Sequence, residues 1–130
     1  MSDTGTPVQG GGIAVNETDR LIASDKVEGT AVYDTNAAHL GSIYSVMIDK
    51  YSGQVSYAVI AFGGFLGIGE KYYPMPWKKL TYDRSLGGYV VDVNKAQLEG
   101  APSYAADAAP WSDPAFGRNV YDYYDVPYYM

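Results

Sequence analysis

Apolar residues recur along the chain with a period of two far more often than with a helical period. From Gln54 to Phe62 they fall on both faces: Val55, Tyr57 and Val59 on one, Ala58, Ile60 and Phe62 on the other. A short run apolar on both faces predicts a strand buried on both sides. Val27 to Tyr33 alternates with Val27, Ala31 and Tyr33 on one face, and Asp34-Thr35-Asn36 opens a turn that ends at Gly41. Asx side chains favour such turns because they bond their own backbone. Ser42 to Ile48 carries Ile43, Val46 and Ile48, a spacing that slips from three to two and predicts a β-bulge. Asp49 to Gly53 is a hairpin turn.

After a glycine-rich connection, Gly63 to Gly69, the segment Lys71 to Trp77 reads as a strand. Pro74 and Pro76 take away two amide donors and place it at an edge or a sharp bend. Leu80–Tyr82 and Gly88–Val93 form a last hairpin around Asp83 to Gly87. Asn94 is the predicted N-cap of one short helix, Lys95 to Leu98, stopped by Gly100 and Pro102. Ser24 and Asp25 cap a short turn before the first strand. Several short strands, turns rich in glycine and one brief helix predict an all-β barrel, and no helix is long enough for a βαβ crossover.

The two ends of the chain differ from this middle. Residues 1–20 are small and polar, with Gly10-Gly11-Gly12, and read as a flexible leader. Residues 101–130 form a Tyr/Pro-rich extension. It holds Tyr104, Tyr121, Tyr123, Tyr124, Tyr128 and Tyr129 with Trp111 and Phe116, while Pro110, Pro114 and Pro127 predict an irregular backbone. A disordered tail is normally poor in aromatics, so this one is expected to pack on the barrel or on a partner.

Composition narrows the chemistry. The 130 residues are 47% hydrophobic and 18% charged, enough apolar surface for one domain with a core. With no cysteine there is no disulfide, thiolate nucleophile or Cys-bound metal, and the cytoplasm is the expected compartment. The longest apolar run, Tyr57 to Gly69, is broken by four glycines and is too short to span a bilayer. The net charge of −6 is uneven. Residues 21–100 hold seven basic against eight acidic side chains, whereas after residue 100 Arg118 alone faces Asp107, Asp113, Asp122 and Asp125. That balance lacks the basic stripe of a nucleic-acid binder.

The run Leu21-Ile22-Ala23-Ser24-Asp25-Lys26-Val27-Glu28-Gly29-Thr30-Ala31-Val32-Tyr33-Asp34 resembles the opening of PRC-barrel domains. So does the hairpin Gly41 to Gly53, with Ile48-Asp49 at its turn. The strongest match is Tyr57 to Lys71 followed by Pro74-Met75-Pro76-Trp77. The resemblance covers residues 21–100 and implies a small six-stranded antiparallel barrel, the sixth strand coming from the resemblance. Asn36-Ala37-Ala38 departs from it, where the family often has a glycine in the turn. The family includes the cytoplasmic domain of the photosynthetic reaction-centre H subunit and the C-terminal domain of a ribosome-maturation factor. The resemblance implies an assembly or adaptor module and carries no catalytic residues over, so no enzyme activity and no cofactor are expected.

Gly64 to Lys71 looks briefly like a phosphate loop, but Glu70 intervenes before Lys71 and an extended Tyr72-Tyr73-Pro74 follows, so a wide connection is the better reading. Phe65, Leu66 and Ile68 on it are a lid on the barrel end or a contact surface. His39 is the only histidine and reads as a solvated turn residue. Asp113, Asp122 and Asp125 lack calcium-loop spacing, so no metal is expected. Tyr121, Tyr123, Tyr124, Tyr128 and Tyr129 suit an interface, since a phenol buries a ring and keeps a polar end. Trp77 beside Lys78 and Lys79 is the one locally basic spot of the barrel.

Three functions follow: a protein-interaction module with an unknown protein partner, an accessory in RNA processing or ribosome maturation, and a small-ligand barrel with a pocket among Tyr57, Tyr72 and Tyr89. A homodimer is expected from the two-sided strand and the tail.

Overall fold

In a computed structural model of the chain, residues 17–18, 20–62 and 71–128 are described. The alternating segments become strands β1 (Ala31–Tyr33), β2 (His39–Ile48), β3 (Val55–Ala61), β4 (Tyr72–Pro76), β5 (Leu80–Asp83) and β6 (Gly88–Val91). They form one sheet in the order β4-β3-β2-β1-β6-β5. The predicted bulge lies in β2, whose register against β3 shifts between Ile43 and Ser45 and again between Met47 and Ile48. β2 begins earlier than expected and runs through Gly41 rather than starting after it. No other residue fits there, because a Cβ on Gly41 would stand 2.2 Å from the Ala61 carbonyl oxygen.

The sheet is mixed, which corrects the purely antiparallel expectation. β1 runs parallel to β6, pairing Val32 with Tyr89 and Tyr33 with Val90. The other neighbours are antiparallel. This has a direct cause in chain path. β4 and β5 are the two edges of the sheet, yet only Trp77–Lys79, a 3-10 turn, separates them. Six flat strands would hold their outer members about 24 Å apart, and the link reaches at most about 14 Å. The sheet therefore curls into a half-barrel, and the chain crosses from one edge to the other, which sets the β5–β6 hairpin beside β1.

The concave side holds the core. Val32, Ile43, Ala58, Ile60, Met75, Val91 and Leu98 are all fully enclosed, each aliphatic side chain contributing about 1.5–3 kcal/mol of burial. The face of β1 is reversed from the expected one: Val32 is buried and Ala31 and Tyr33 are partly exposed. The reversal arises because Val27 ends a helix, α1 (Ser24–Val27), and Gly29 turns the chain at φ +87°.

Helix α2 (Lys95–Glu99) is capped as expected, with Asn94 Oδ1 accepting from Gln97 N at 2.7 Å. A third helix, α3 (Pro114–Tyr123), corrects the expectation of one short helix and an irregular tail. Pro114 opens it rather than breaking it. Proline at the first helical position loses no hydrogen bond, and Asp113 Oδ1 caps the helix through Ala115 N at 2.9 Å.

Candidate interaction surface

The two sheet edges are treated differently by the rest of the chain. At β4, Tyr72 N donates to the Tyr104 carbonyl at 2.8 Å, and Tyr104 N returns a bond of 3.0 Å. Since Tyr72 faces outward, so do Pro74 and Pro76 two and four residues on, where proline has no donor to leave unpaired. The C-terminal extension then packs over this edge through a chain of rings. Tyr44 meets Tyr72 at 4.3 Å and Tyr72 meets Tyr104 at 5.8 Å. Trp111 links Tyr104 at 5.8 Å to Tyr57 at 5.1 Å, and Tyr57 meets Tyr121 at 5.3 Å.

The expected surface tyrosines are thus sorted by their depth. Tyr121 is completely buried and its hydroxyl donates to the Ser56 carbonyl at 2.7 Å. Tyr124 is also buried, and its hydroxyl has no hydrogen-bond partner among the described residues; burial pushes its pKa well above the usual phenol value, with Tyr123 and Tyr73 adding to the shift. These two belong to the core, not to an exposed contact face. Tyr123 is at the surface and bonds the Gln97 carbonyl through its hydroxyl. Tyr128 is partly exposed and packs on Tyr121 at 5.1 Å. Phe65, Leu66, Ile68 and Tyr129 lie outside the described residues.

Among the described residues, the β5 edge has no strand beyond it in the sheet. Beside it lies a groove of about 380 Å³ lined by Glu17, Arg20, Leu21, Ile22, Trp77, Leu80, Tyr82 and Tyr89. Trp77, singled out from the sequence, forms its wall and meets Tyr89 edge-on at 5.3 Å, while Tyr82 flanks Tyr89 at the same distance. Tyr89 is buried at the floor, and desolvation followed by Tyr82 and Glu17 raises its pKa. Leu21 and Tyr82 stand open, at 72% and 43% exposure. The hairpin that presents β5 is held by Asp83, whose Oδ1 accepts from Ser85 N at 2.9 Å and from the Ser85 hydroxyl at 2.6 Å. Those bonds keep its carboxyl below the ordinary carboxylate range, the Ser85 hydroxyl first.

Sequence reasoning found Trp77 but missed Leu21, Leu80 and Tyr82. The signal was present in Leu80 and Tyr82, two residues apart on a strand that starts directly after Trp77–Lys79. Tyr57, Tyr72 and Tyr89 do not share a pocket: their rings join Trp111, Tyr44 and Trp77 respectively. His39 is exposed, with its ring 5.6 Å from Tyr33. Among the described residues no three potential metal ligands converge, and no helix is long and apolar enough to cross a membrane.

No curated protein matches the chain. The PRC-barrel domain model matches residues 19–98, which span the curled sheet, the Trp77 side of the groove and most of α2. With that match covering well over half of its length, the chain belongs to the PRC-barrel family.

Proposed function

We propose that this PRC-barrel is a non-catalytic interaction module whose β5 edge and Trp77 groove receive an extended, acidic segment of another protein. The observation that carries the reading is the contrast between edges. Among the described residues, the chain covers β4 with its own Tyr104 and adds no strand beyond β5, beside exposed Leu21 and Tyr82. An added strand would satisfy the edge's backbone groups, and the groove would take its side chains. Lys79 and Arg84 at the ends of β5 outnumber Asp83 there, which favours acid in the partner.

The same basic residues beside Trp77 favour a second reading, contact with RNA, against the net charge of −6. Tagging the protein in its native host and identifying what copurifies, with and without RNase, separates the two. A stoichiometric protein that survives RNase, and is lost from a Leu21→Ser/Tyr82→Ser variant of unchanged melting temperature, supports the module. Ribosomal particles that disappear with RNase replace it with the RNA reading. Turnover of a metabolite, abolished by point changes, removes both.

A further inference from the structure

Strand β5 presents different chemistry on its two faces. Leu80 and Tyr82, two residues apart, line the Trp77 groove. Thr81 and Asp83 alternate with them and line a shallow hollow on the other face, together with Lys79, Arg84, Ser85 and Asp92; Tyr82, at the sheet edge, borders both spaces. The inner neighbour repeats the division. Tyr89, opposite Tyr82, lies in the groove, and Val90, opposite Thr81, lies in the hollow. One face is thus apolar and aromatic and the other polar and charged, as the two-residue period of a strand allows.

The charges of the polar face are not equivalent. The Asp83 carboxylate is taken up by its own turn, where Oδ1 accepts from Ser85 N at 2.9 Å, from the Ser85 hydroxyl at 2.6 Å and from Leu86 N at 3.2 Å. Lys79, at the opposite end of β5, forms no ion pair among the described residues. A carboxylate brought to that end by a partner would meet a free cation.

An added strand meets these faces in a fixed order. Antiparallel pairing is the more stable per residue, and it sets successive partner residues opposite Asp83, Tyr82, Thr81, Leu80 and Lys79. Those opposite Tyr82 and Leu80 fall over the groove, and the alternate ones fall over the polar face. Directly opposed side chains are the unit of sheet stabilisation. They call for apolar residues opposite Tyr82 and Leu80, a β-branched hydroxyl residue opposite Thr81, and an acid opposite Lys79.

We propose, resting on the β5 reading above, that the partner segment runs antiparallel to β5 and carries four consecutive residues in the order apolar, threonine-like, apolar, acidic, its acid paired with Lys79 and its apolar side chains in the Trp77 groove. A change of phase by one residue would turn the apolar pair onto the polar face.

The probe is a blocked hexapeptide, threonine-valine-threonine-valine-glutamate-threonine. Exchanging its glutamate with the valine before it keeps the composition and puts one valine and the acid on the wrong faces. The full chain is titrated with each peptide to about 10 mM, within reach of millimolar sites, and both indole N–H signals are followed by NMR. The first peptide is expected to move Trp77 saturably and leave Trp111 in place, since Trp111 packs with Tyr57, Tyr104 and Phe116 away from the groove. The exchanged peptide is expected to bind about tenfold more weakly, having lost one apolar seat. Glutamine in place of the peptide's glutamate, or Lys79→Gln in the protein, should each weaken binding about threefold, and the two together no more than either alone. Arg84→Gln, at the far end of β5, should show no such coupling at physiological salt. An unmoved Trp111 signal shows each variant folded. Equal binding of the two isomers, or glutamine effects that simply multiply, overturns this pattern and leaves the β5 reading standing. A Trp77 signal that no peptide moves, or that moves only together with Trp111, removes both.

Discussion

Ala37 has a backbone φ of +64°, a region in which a Cβ costs about 1–2 kcal/mol. It sits in the turn where Asp34 Oδ1 accepts from Asn36 N and Ala38 N, both at 2.9 Å, and Ala37 N itself donates to the Asp34 carbonyl. Ala37→Gly should therefore raise stability by about 0.5–1 kcal/mol, the relief of strain exceeding the extra unfolded-state freedom of glycine, as read by urea denaturation. Two buried phenols make a sharper pair. Tyr121→Phe removes a buried 2.7 Å bond to the Ser56 carbonyl, and should cost about 1–2 kcal/mol. Tyr124→Phe removes a hydroxyl with no partner among the described residues and should be neutral or stabilising by up to about 1 kcal/mol. The same variant tests a pH effect. Burial raises the Tyr124 pKa above its unfolded value of 10.0, so its contribution is complete below pH 10 and declines as the unfolded chain ionises above it. Tyr73, Tyr89 and Tyr104 are raised too, each by burial first. Tyr124→Phe should flatten the alkaline decline in stability without abolishing it. At this scale the sequence marks tyrosine as the residue type of interest. It could not say which hydroxyl would find a carbonyl, because that partner lies 65 residues away along the chain.

Elements were legible where their cause was local. The strand β3, the β5–β6 hairpin and the Asn94 cap follow from two-residue alternation, Asx turns and a side chain three residues from its donor. The helix α3 is equally local, but three prolines suggest an irregular backbone there, whereas Asp113-Pro114 is a helix-start pair. Its buried positions, Gly117, Val120 and Tyr121, with Phe116 and Tyr124 partly or wholly enclosed, follow the three- and four-residue spacing of one helical face. Gly117 stands inside the helix because a Cβ there would come 2.4 Å from the Tyr57 hydroxyl. What could not be read was the parallel β1–β6 pair, since it depends on how far the whole sheet curls. The cap of α3 gives the element its test. Asp113→Ala should lower stability by about 1 kcal/mol and Asp113→Asn by much less, and helical ellipticity and urea midpoint should fall together in the first variant only.

For the whole molecule, an open β-sheet has two edges, and each invites another chain. The features that suggested a homodimer, the two-sided apolar strand and the aromatic tail, are used within one chain, where Tyr57 packs on Trp111 and Tyr121. Self-association must then go through β5, a strand of four residues. Two copies pairing antiparallel about the Thr81–Tyr82 midpoint would set Lys79 of each opposite Arg84 of the other, and like charges opposed across strands are destabilising. The chain should accordingly run at monomer mass by light scattering across a wide concentration range in low salt. Replacing both Lys79 and Arg84 by threonine removes the repulsion, adds a residue favoured in strands and should bring out a dimer. A wild-type dimer that persists in low salt and survives Tyr82→Ser would mean that the copies meet elsewhere than at β5. A monomer that becomes a dimer on Lys79→Thr/Arg84→Thr would mean that the edge is competent to pair and is kept open by charge, the condition an acidic partner strand would relieve.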